Sequence, residues 1–437
     1  MRKIIRSLLF GDKNRTNINS YQFNAAAGLI NAGKSVLLLM IISRTNGLND
    51  AGILTIAFAI ANLMLFIGKF GMRSFQATDI DEKNGFTSYF YSRILSILVM
   101  LLFSGAWIIY GVCNNGYSLK KVLVIAFLCV IYASEAMEDV FAGYYQQQGR
   151  LDVASKLYLF RWITVLITFS AILLFNKNLI LAAGISAGIS ILFVIGCIAA
   201  TIPSFYQGDW KYDKRSALNL LITCFPVFLT NFLMFYISNA PKYTIDRCLS
   251  EHVQAYYGFI SMPIFVMGLL SSFIYQPVLV NMSKQWKMGE YKGFITGMKR
   301  QYLLILVINV ICVAGAYLLG IPVLSMLYGV DLSKYKLEFM LLIISGGFLA
   351  YAGYLMVIFT MMRLQIKLLV SFTLVSSLTV IFMKNAIKYR DILGAVIFHM
   401  SMVVLLTVIL QIIFNHEYRK HGNSKNKNRT VKRLMKL

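Results

Sequence analysis

The sequence predicts an all-α polytopic membrane protein with about twelve transmembrane helices. Of its 437 residues, 58% are hydrophobic and only 14% are charged, whereas soluble domains carry about 25% charged residues. Apolar segments that are long enough to cross a bilayer recur along the whole chain. The basic residues concentrate in alternate loops, as the positive-inside rule requires of a chain that crosses the membrane repeatedly.

Twelve apolar segments mark the predicted helices, which we number span 1 to span 12. They run over residues 21–43, 50–70, 88–111, 119–144, 154–175, 178–201, 217–239, 253–280, 298–319, 337–360, 364–383 and 391–415. With the N-terminus in the cytoplasm, 30 of the 42 basic residues fall on the cytoplasmic side and 11 on the opposite side. The charge bias therefore predicts twelve spans with both termini cytoplasmic.

A weak internal repeat predicts two six-helix halves. The segment IIS…NDAGILTIAFAIANLMLFIGKF resembles YIS…VQAYYGFISMPIFVMGLLSSFI six spans later, although two apolar helices also resemble each other by chance. An even offset makes the halves parallel repeats, which typically enclose a substrate path. We predict a cytoplasmic N-terminal segment, two bundles, an inter-bundle linker and a basic cytoplasmic tail; in the order of the chain these regions are 1–20, 21–201, 202–216, 217–415 and 416–437.

Span 1 carries a lysine near its middle, which is costly in a bilayer. Asn24, Gly28, Asn31, Lys34 and Ser35 recur at three- and four-residue steps and share one helix face. A charge at the centre of a transmembrane helix costs about 2.5–3.5 kcal/mol on insertion scales, so it normally faces protein or water. Two roles remain open for the lysine: a ligand for an anion in a cavity, or a packing, snorkelling or carboxylate-paired residue.

Three carboxylates lie close together near the end of span 4. Glu135, Glu138 and Asp139 fall within one or two helical turns, and we expect them at the cytoplasmic margin of the bilayer. Such a cluster needs a cation or an arginine partner, which Arg93 and Arg161 would supply. Paired carboxylates also serve acid–base chemistry, but the segment lacks a loop that would build a catalytic pocket, so structural ion pairs are favoured.

Span 7 has a polar face and two prolines near it. Thr230 shares its face with Asn219, Thr223 and Pro226, and proline kinks a helix because it removes a backbone donor. The sequence Asn-Ala-Pro-Lys at 239–242 predicts the end of this helix.

Several kinds of site are excluded by missing motifs. The six cysteines are scattered without a CxxC pair, and neither HExxH nor GxxxxGK[ST] is present. We therefore predict no metal centre, no cofactor, no nucleotide cradle and no covalent chemistry. A coupling ion, H⁺ or Na⁺, stays open. The net charge of +24 is explained by topology rather than by nucleic acid, and the N-terminus lacks the small-residue site of a cleaved signal peptide.

Three motifs together resemble the polysaccharide flippase family of the multidrug/oligosaccharidyl-lipid/polysaccharide exporter superfamily. They are GMRSFQATD after span 2, DVFAGYYQQQGRLDVASK at the end of span 4, and NAPKYTIDR at the end of span 7. The resemblance covers nearly the whole chain and implies two bundles in a V shape around a central cationic cavity. The implied cargo is an undecaprenyl-diphosphate-linked oligosaccharide.

The resemblance also implies roles for individual residues. Lys34 would meet the diphosphate inside the membrane. Polar side chains such as Asn24, Asn31, Asn62 and Thr230 would replace water around the sugar hydroxyls. Further candidate charges at the two mouths of the cavity are Arg73, Arg93, Arg161, Lys242 and Arg247.

The function expected from these observations is alternating-access translocation of lipid-linked repeat units across a bacterial plasma membrane, for O-antigen, capsule or exopolysaccharide biosynthesis. Expected partners are the polyprenyl-linked substrate, membrane lipids, and the polymerase and glycosyltransferases of the same pathway. Three alternatives stay open. The first is a cation-coupled multidrug exporter, which would need acidic residues within its helices. The second is a flippase of a lipid-linked peptidoglycan precursor, which differs only in cargo and usually has two more helices. The third is a membrane polysaccharide polymerase or ligase. The short outer loops disfavour the enzyme.

Overall fold

The protein is an all-helical, multi-pass membrane protein. The computed structural model describes residues 9–10, 16–79, 84–211 and 213–434, with side chains up to residue 420. Every regular element within these residues is a helix, so the predicted fold class is confirmed. Ten helical segments of the described chain are long and apolar enough to cross a membrane. Of the predicted cytoplasmic N-terminal segment 1–20, residues 1–8 and 11–15 lie outside the described residues.

The helices are numbered here in chain order. The first eight are α1 Thr16–Thr45, α2 Leu48–Lys69, α3 Met72–Thr78, α4 Phe86–Asn115, α5 Leu119–Gln147, α6 Leu151–Asn176, α7 Leu179–Thr201 and α8 Lys214–Cys248. The remaining seven are α9 Glu251–Ser261, α10 Ile264–Tyr275, α11 Leu279–Met288, α12 Tyr291–Gly315, α13 Ile321–Tyr328, α14 Lys336–Met361 and α15 Gln365–Leu434.

All twelve predicted spans are helical, although only ten segments meet the length and hydropathy of a membrane span. The helix α5 falls outside the ten because its charged residues lower its apolar character. The helix α15 counts once, yet its backbone leaves helical geometry at Arg390 and Asp391, next to the predicted junction of spans 11 and 12. The count of twelve and the count of ten therefore describe the same elements.

Several predicted helix ends are wrong. The sequence ended span 7 at Asn239–Lys242, but α8 continues to Cys248 with Pro241 inside it. A proline removes only one backbone donor, and membrane helices tolerate that loss when neighbouring groups satisfy the freed carbonyl. The connection between spans 9 and 10, which the predicted bounds leave at 320–336, is partly helical, because a π-helical turn over Ala316–Gly320 leads into α13. The predicted tail continues α15 as far as Leu434.

The chain forms two compact units. Unit 1 comprises Met1–Phe235, Ile245–Phe259 and Leu327–Gly329, and unit 2 comprises Tyr236–Thr244, Ile260–Met326 and Val330–Leu437. The helix α8 therefore contributes to both units.

In unit 1, the helix α5 occupies the centre of the packing. It contacts α2, α3, α4, α6 and α7. Between α2 and α3 the chain turns through Phe70 and Gly71, whose φ angles of 48° and 66° are both left-handed. This turn lays α3 on α5, where Gly143 leaves room for the buried side chain of Gln76: a Cβ at Gly143 would lie 2.2 Å from Oε1. The last residue of α2 and the first turn of α3 thus face the same stretch of α5.

In unit 2, α14 packs against α10, α12 and α15. A cavity of about 870 Å³ lies in this unit, lined mainly by apolar residues such as Leu303, Val310 and Phe348. No charged residue of the described chain lines it. Its chemistry suits hydrocarbon rather than a polar group.

Candidate functional site

A cavity in unit 1 combines amide, hydroxyl and charged side chains. Its volume is about 510 Å³, within the range of ordinary ligand pockets. The predicted residues Asn24, Asn31, Asn62 and Arg73 line it, together with the hydroxyl-bearing Tyr158. The structure therefore brings four of the ten predicted site residues to one cavity.

Eight charged side chains meet beside this cavity, and we call them the charge cluster. Five are cations and three are carboxylates, which leaves a formal excess of two positive charges. The members are Lys34, Lys69, Arg73, Arg93, Arg161, Glu135, Glu138 and Asp139.

Glu135 is the centre of the charge cluster and uses its two oxygens differently. Its Oε2 accepts from Arg161 Nη2 at 3.2 Å, from the indole Nε1 of Trp162 at 2.9 Å and from Lys34 Nζ at 3.4 Å. Its Oε1 accepts from Lys69 Nζ at 2.8 Å. One carboxylate thereby ties together α1, α2, α5 and α6.

Lys34 lies behind the cavity lining rather than in it. Its side chain is only 4% exposed and pairs with Glu135, and its Nζ also donates to the Tyr158 hydroxyl at 3.3 Å. The ammonium stands 3.8 Å from the ring centroid of Trp162 and 4.9 Å from that of Tyr132, so cation–π attraction holds it further. Of the two roles left open by the sequence, the contacts match the carboxylate-paired lysine; the ligand role stays a prediction.

The predicted arginine partners of the acidic cluster are confirmed. Arg93 Nη2 donates to Asp139 Oδ2 at 2.9 Å, and its Nη1 donates to the carbonyl of Gly68 at 2.6 Å. Arg161 forms ion pairs with both Glu135 and Glu138. Both guanidinium groups are fully buried, which is tolerable in a membrane protein because each faces a carboxylate.

The expected position of the carboxylates at the bilayer margin stays a prediction, and the structure gives the position of Glu135 along its helix. This residue lies 16 residues into α5, which is about 24 Å along the helix axis. It also reaches Lys34, which sits in the middle of the 30-residue helix α1. The helix α5 ends at Gln147, three residues beyond the predicted end of span 4.

The five cations of the charge cluster differ in their access to the cavity. Lys34, Arg93 and Arg161 are at most 4% exposed. Lys69 and Arg73 are 32% and 38% exposed and line the cavity. The cavity wall therefore presents two cations, while three more lie behind it.

The amides of the cavity hydrogen-bond with tyrosines. The Tyr158 hydroxyl donates to Asn31 Oδ1 at 2.7 Å, and Asn62 Nδ2 donates to the Tyr132 hydroxyl at 2.8 Å. Asn24 is exposed on the same wall. Such groups offer both donors and acceptors to a polar ligand.

Three predicted site residues are not among the residues that line this cavity. Thr230 is buried and its hydroxyl donates to the carbonyl of Pro226 on its own helix at 2.8 Å. Arg247 stacks on Trp107 and Tyr110, with its guanidinium 5.5 and 5.1 Å from the ring centroids. Lys242 belongs to unit 2.

Lys69, Tyr158 and Trp162 are site residues that the sequence analysis missed. Lys69 was counted only among the cations that set topology, because it stands at the end of an apolar segment. One signal was available: Lys69 and Arg73 are four residues apart at the end of span 2, and Glu135 and Asp139 are four residues apart in span 4, so two basic and two acidic residues have the same spacing. The aromatic residues gave no signal beyond their apolar character.

The described residues hold no group of three or more histidine, cysteine or acidic side chains that could bind a metal ion. The motif 139–156 has a structural role around Tyr144 and Tyr145. Tyr144 packs on Phe86 with ring centroids 4.4 Å apart, and the Tyr145 hydroxyl lies 2.6 Å from Thr201 Oγ1.

Comparison with known proteins supports the fold. No protein-family model and no curated protein matches the chain. Among solved structures, the lipid II flippase MurJ in an inward closed conformation matches with a TM-score of 0.68 and 14% identity, over 95% of this chain and 93% of that chain. An inward-facing multidrug resistance MATE family transporter of the MOP superfamily matches with a TM-score of 0.64 and 13% identity, over 89% and 96%.

A third similar structure is the eukaryotic MATE transporter AtDTX14, with a TM-score of 0.64 and 14% identity over 94% of this chain and 99% of that chain. At such identities the likeness concerns the fold, and it extends over nearly the whole of each chain. The chain therefore shares its fold with these two MATE transporters and with the lipid II flippase MurJ.

Proposed function

We propose that this protein translocates polyprenyl-diphosphate-linked oligosaccharide repeat units from the inner to the outer leaflet of a bacterial plasma membrane. The observation that carries the proposal is the excess of two positive charges beside a polar cavity in membrane-spanning helices. A fold that includes a flippase of lipid II is compatible with lipid-linked cargo.

Electrostatics explains why a diphosphate needs this cavity. Moving an isolated phosphate through hydrocarbon is prohibitive, because the loss of hydration costs far more than a bilayer protein can offset by packing. Fixed cations lower that cost wherever they meet the anion. Each carboxylate of the charge cluster already faces a cation, so the unbalanced charge is positive and its partner is an anion.

The rest of the cavity wall suits sugars. Asn24, Asn31 and the hydroxyl of Tyr158 supply donors and acceptors that replace water around hydroxyl groups. The polyprenyl chain would remain in lipid while the head group moves. Transport of this kind proceeds by alternating access and without covalent chemistry. Both termini of the chain would lie in the cytoplasm. Glycosyltransferases of the same pathway would supply the cargo, and a polymerase would consume it.

A cation-coupled multidrug exporter is the second candidate, because Glu135, Glu138 and Asp139 line the cavity. Acidic residues within helices are what such an exporter would require. Against this function, every one of these carboxylates is paired with lysine or arginine, so a cationic drug would have to displace a fixed cation. The two candidate functions therefore differ in the charge of the cargo, which is anionic for the flippase and cationic for the exporter.

The test is disruption of the gene in its own host, with complementation from a plasmid. We expect loss of the surface polysaccharide and accumulation of the lipid-linked repeat unit with its sugar on the cytoplasmic face. Complementation with the wild-type gene should restore the polymer. Unchanged polysaccharide together with greater sensitivity to cationic drugs would refute the flippase and support the exporter.

A further inference from the structure

Glu135 and Asp139 each divide their two oxygens between a buried cation and a cation at the cavity. Glu135 Oε2 faces the buried Lys34 and Arg161, while its Oε1 faces Lys69. Asp139 Oδ2 faces the buried Arg93, while its Oδ1 faces Arg73. The two carboxylates lie four residues apart on α5, so the same arrangement occurs twice along one helix.

The backbone explains why the two cavity cations lie side by side. Lys69 ends α2 and Arg73 lies in the first turn of α3. The left-handed residues Phe70 and Gly71 connect these helices. Glycine adopts a left-handed conformation more readily than other residues because it has no Cβ, and Gly71 occupies one of these two positions. Both cations thereby line one cavity against the same helix.

The two cavity cations are more accessible than the buried ones, and Arg73 is also held by long bonds, whereas Lys69 reaches Glu135 Oε1 at 2.8 Å. Arg73 reaches Asp139 at 3.3 Å and Gln146 at 3.3 and 3.4 Å, longer than the roughly 2.7–2.9 Å of strong charge-assisted hydrogen bonds. Arg73 is also 38% exposed and Lys69 is 32% exposed. If both cations turned toward a ligand, Glu135 and Asp139 would still be held by Arg161 and Arg93.

We propose that Lys69 and Arg73 form the phosphate-binding subsite of the unit 1 cavity, and that Glu135 Oε1 and Asp139 Oδ1 hold these cations until phosphate oxygens replace the carboxylates. The inference rests on the proposed function only for the identity of the anion, a polyprenyl diphosphate. Lysine supplies a compact charge and arginine a planar fork, and both are usual partners of phosphate. Lys34, Arg93 and Arg161 then act as positioning residues.

The experiment measures binding of two probes to the full-length protein in detergent micelles at low salt. Inorganic pyrophosphate and undecaprenyl diphosphate are titrated calorimetrically against wild type, Lys69→Gln, Arg73→Gln and the double variant. We expect each single substitution to weaken both probes about tenfold and the double variant about a hundredfold, as for lost charge-assisted contacts. If undecaprenyl diphosphate binds and pyrophosphate does not, the ligand of the subsite is a lipid headgroup rather than a free phosphate.

Three controls separate charge at the site from charge in general. Lys211→Gln removes an equal charge from a side chain that is 87% exposed and pairs with Asp209, and it should change binding less than about twofold. Lys69→Arg should restore binding to within about threefold, because the charge returns. Glu135→Gln should tighten pyrophosphate binding, because a competing carboxylate is removed.

The proposal is overturned if the double variant binds undecaprenyl diphosphate as tightly as wild type, or if wild type binds neither probe. Because both substituted side chains are partly exposed, the variants should fold, and thermal unfolding checks this. The outcome is separable from the proposed function. Normal polysaccharide after gene disruption, with pyrophosphate binding lost in the double variant, would refute the flippase and keep the subsite. Loss of polysaccharide after gene disruption, with unchanged binding in the variants, would support the flippase and refute the subsite.

Discussion

Replacing Arg161 by methionine should be among the most destabilising single changes in unit 1. The guanidinium is fully buried and pairs with Glu138 and with Glu135. Among the described residues, Glu138 has no other partner, and its Oε1 already lacks a hydrogen bond. Arg161→Met would therefore leave a buried carboxylate without a cation, a loss of about 3–5 kcal/mol in the free energy of unfolding.

Lys34→Met is the matched comparison for Arg161→Met. The same ion-pair network predicts that it lowers the free energy of unfolding by less. Without Lys34, Glu135 still accepts from Arg161 at 3.2 Å, from Lys69 at 2.8 Å and from Trp162 at 2.9 Å. A 3.4 Å ion pair, a 3.3 Å hydrogen bond to the Tyr158 hydroxyl and the cation–π contacts disappear. We expect a loss of about 1–2 kcal/mol, near the value of a desolvated cation–π contact.

The assay is equilibrium unfolding of the purified protein in mixed micelles, followed by circular dichroism as the denaturing detergent increases. A double variant, Arg161→Met with Glu138→Met, completes the cycle, because removing both partners of a buried ion pair is often nearly neutral. We expect a coupling of at least about 2 kcal/mol. The reasoning would be refuted if the double variant were as unstable as Arg161→Met, or if Lys34→Met cost as much as Arg161→Met.

Two close helix contacts give further predictions, with Gly188→Ala as their matched control. Gly143→Ala would put a Cβ 2.2 Å from the amide oxygen of the buried Gln76, so thermal stability should fall by the equivalent of about 1–3 kcal/mol of overpacking. Gly52→Ala would put a Cβ 2.0 Å from the backbone carbonyl of Glu251, and it should cost more than Gly143→Ala because backbone yields less than a side chain. Gly188 has nothing within 4 Å of an added Cβ, so its substitution should leave thermal stability unchanged or slightly higher, and a fall as large as at Gly143 would contradict the argument.

The positions of the helices could be predicted from sequence because hydropathy is a local property. Twenty consecutive apolar residues identify a span whatever its neighbours are, and all twelve predicted spans proved to be helical. Helix ends depend on packing as well. Pro241 reads as a terminator in the sequence, but α8 continues past it, and the polar residues after span 12 extend α15.

The candidate site was partly predictable for a similar reason. A lysine inside an apolar helix and a group of carboxylates are local anomalies, so Lys34 and Glu135 stood out, and the buried Arg93 and Arg161 were the cations nearest in topology. Which cation meets which carboxylate is a property of the fold. Lys34 and Glu135 are 101 residues apart in the chain, and no periodicity connects them. Lys69 escaped notice because the positive-inside rule already accounted for it.

The charge cluster is difficult to explain by stability alone. Buried ion pairs seldom stabilise a protein more than well-packed apolar side chains of the same size, because desolvation offsets the attraction between the charges. If the cluster served packing only, three carboxylates would need three cations, whereas five cations are present. All five cations form ion pairs, but two of them share a carboxylate that another cation already neutralises, so two positive charges have no counter-charge of their own. The most accessible of the five, Lys69 and Arg73, are also the ones at the cavity, so the surplus lies where an anionic ligand would balance it.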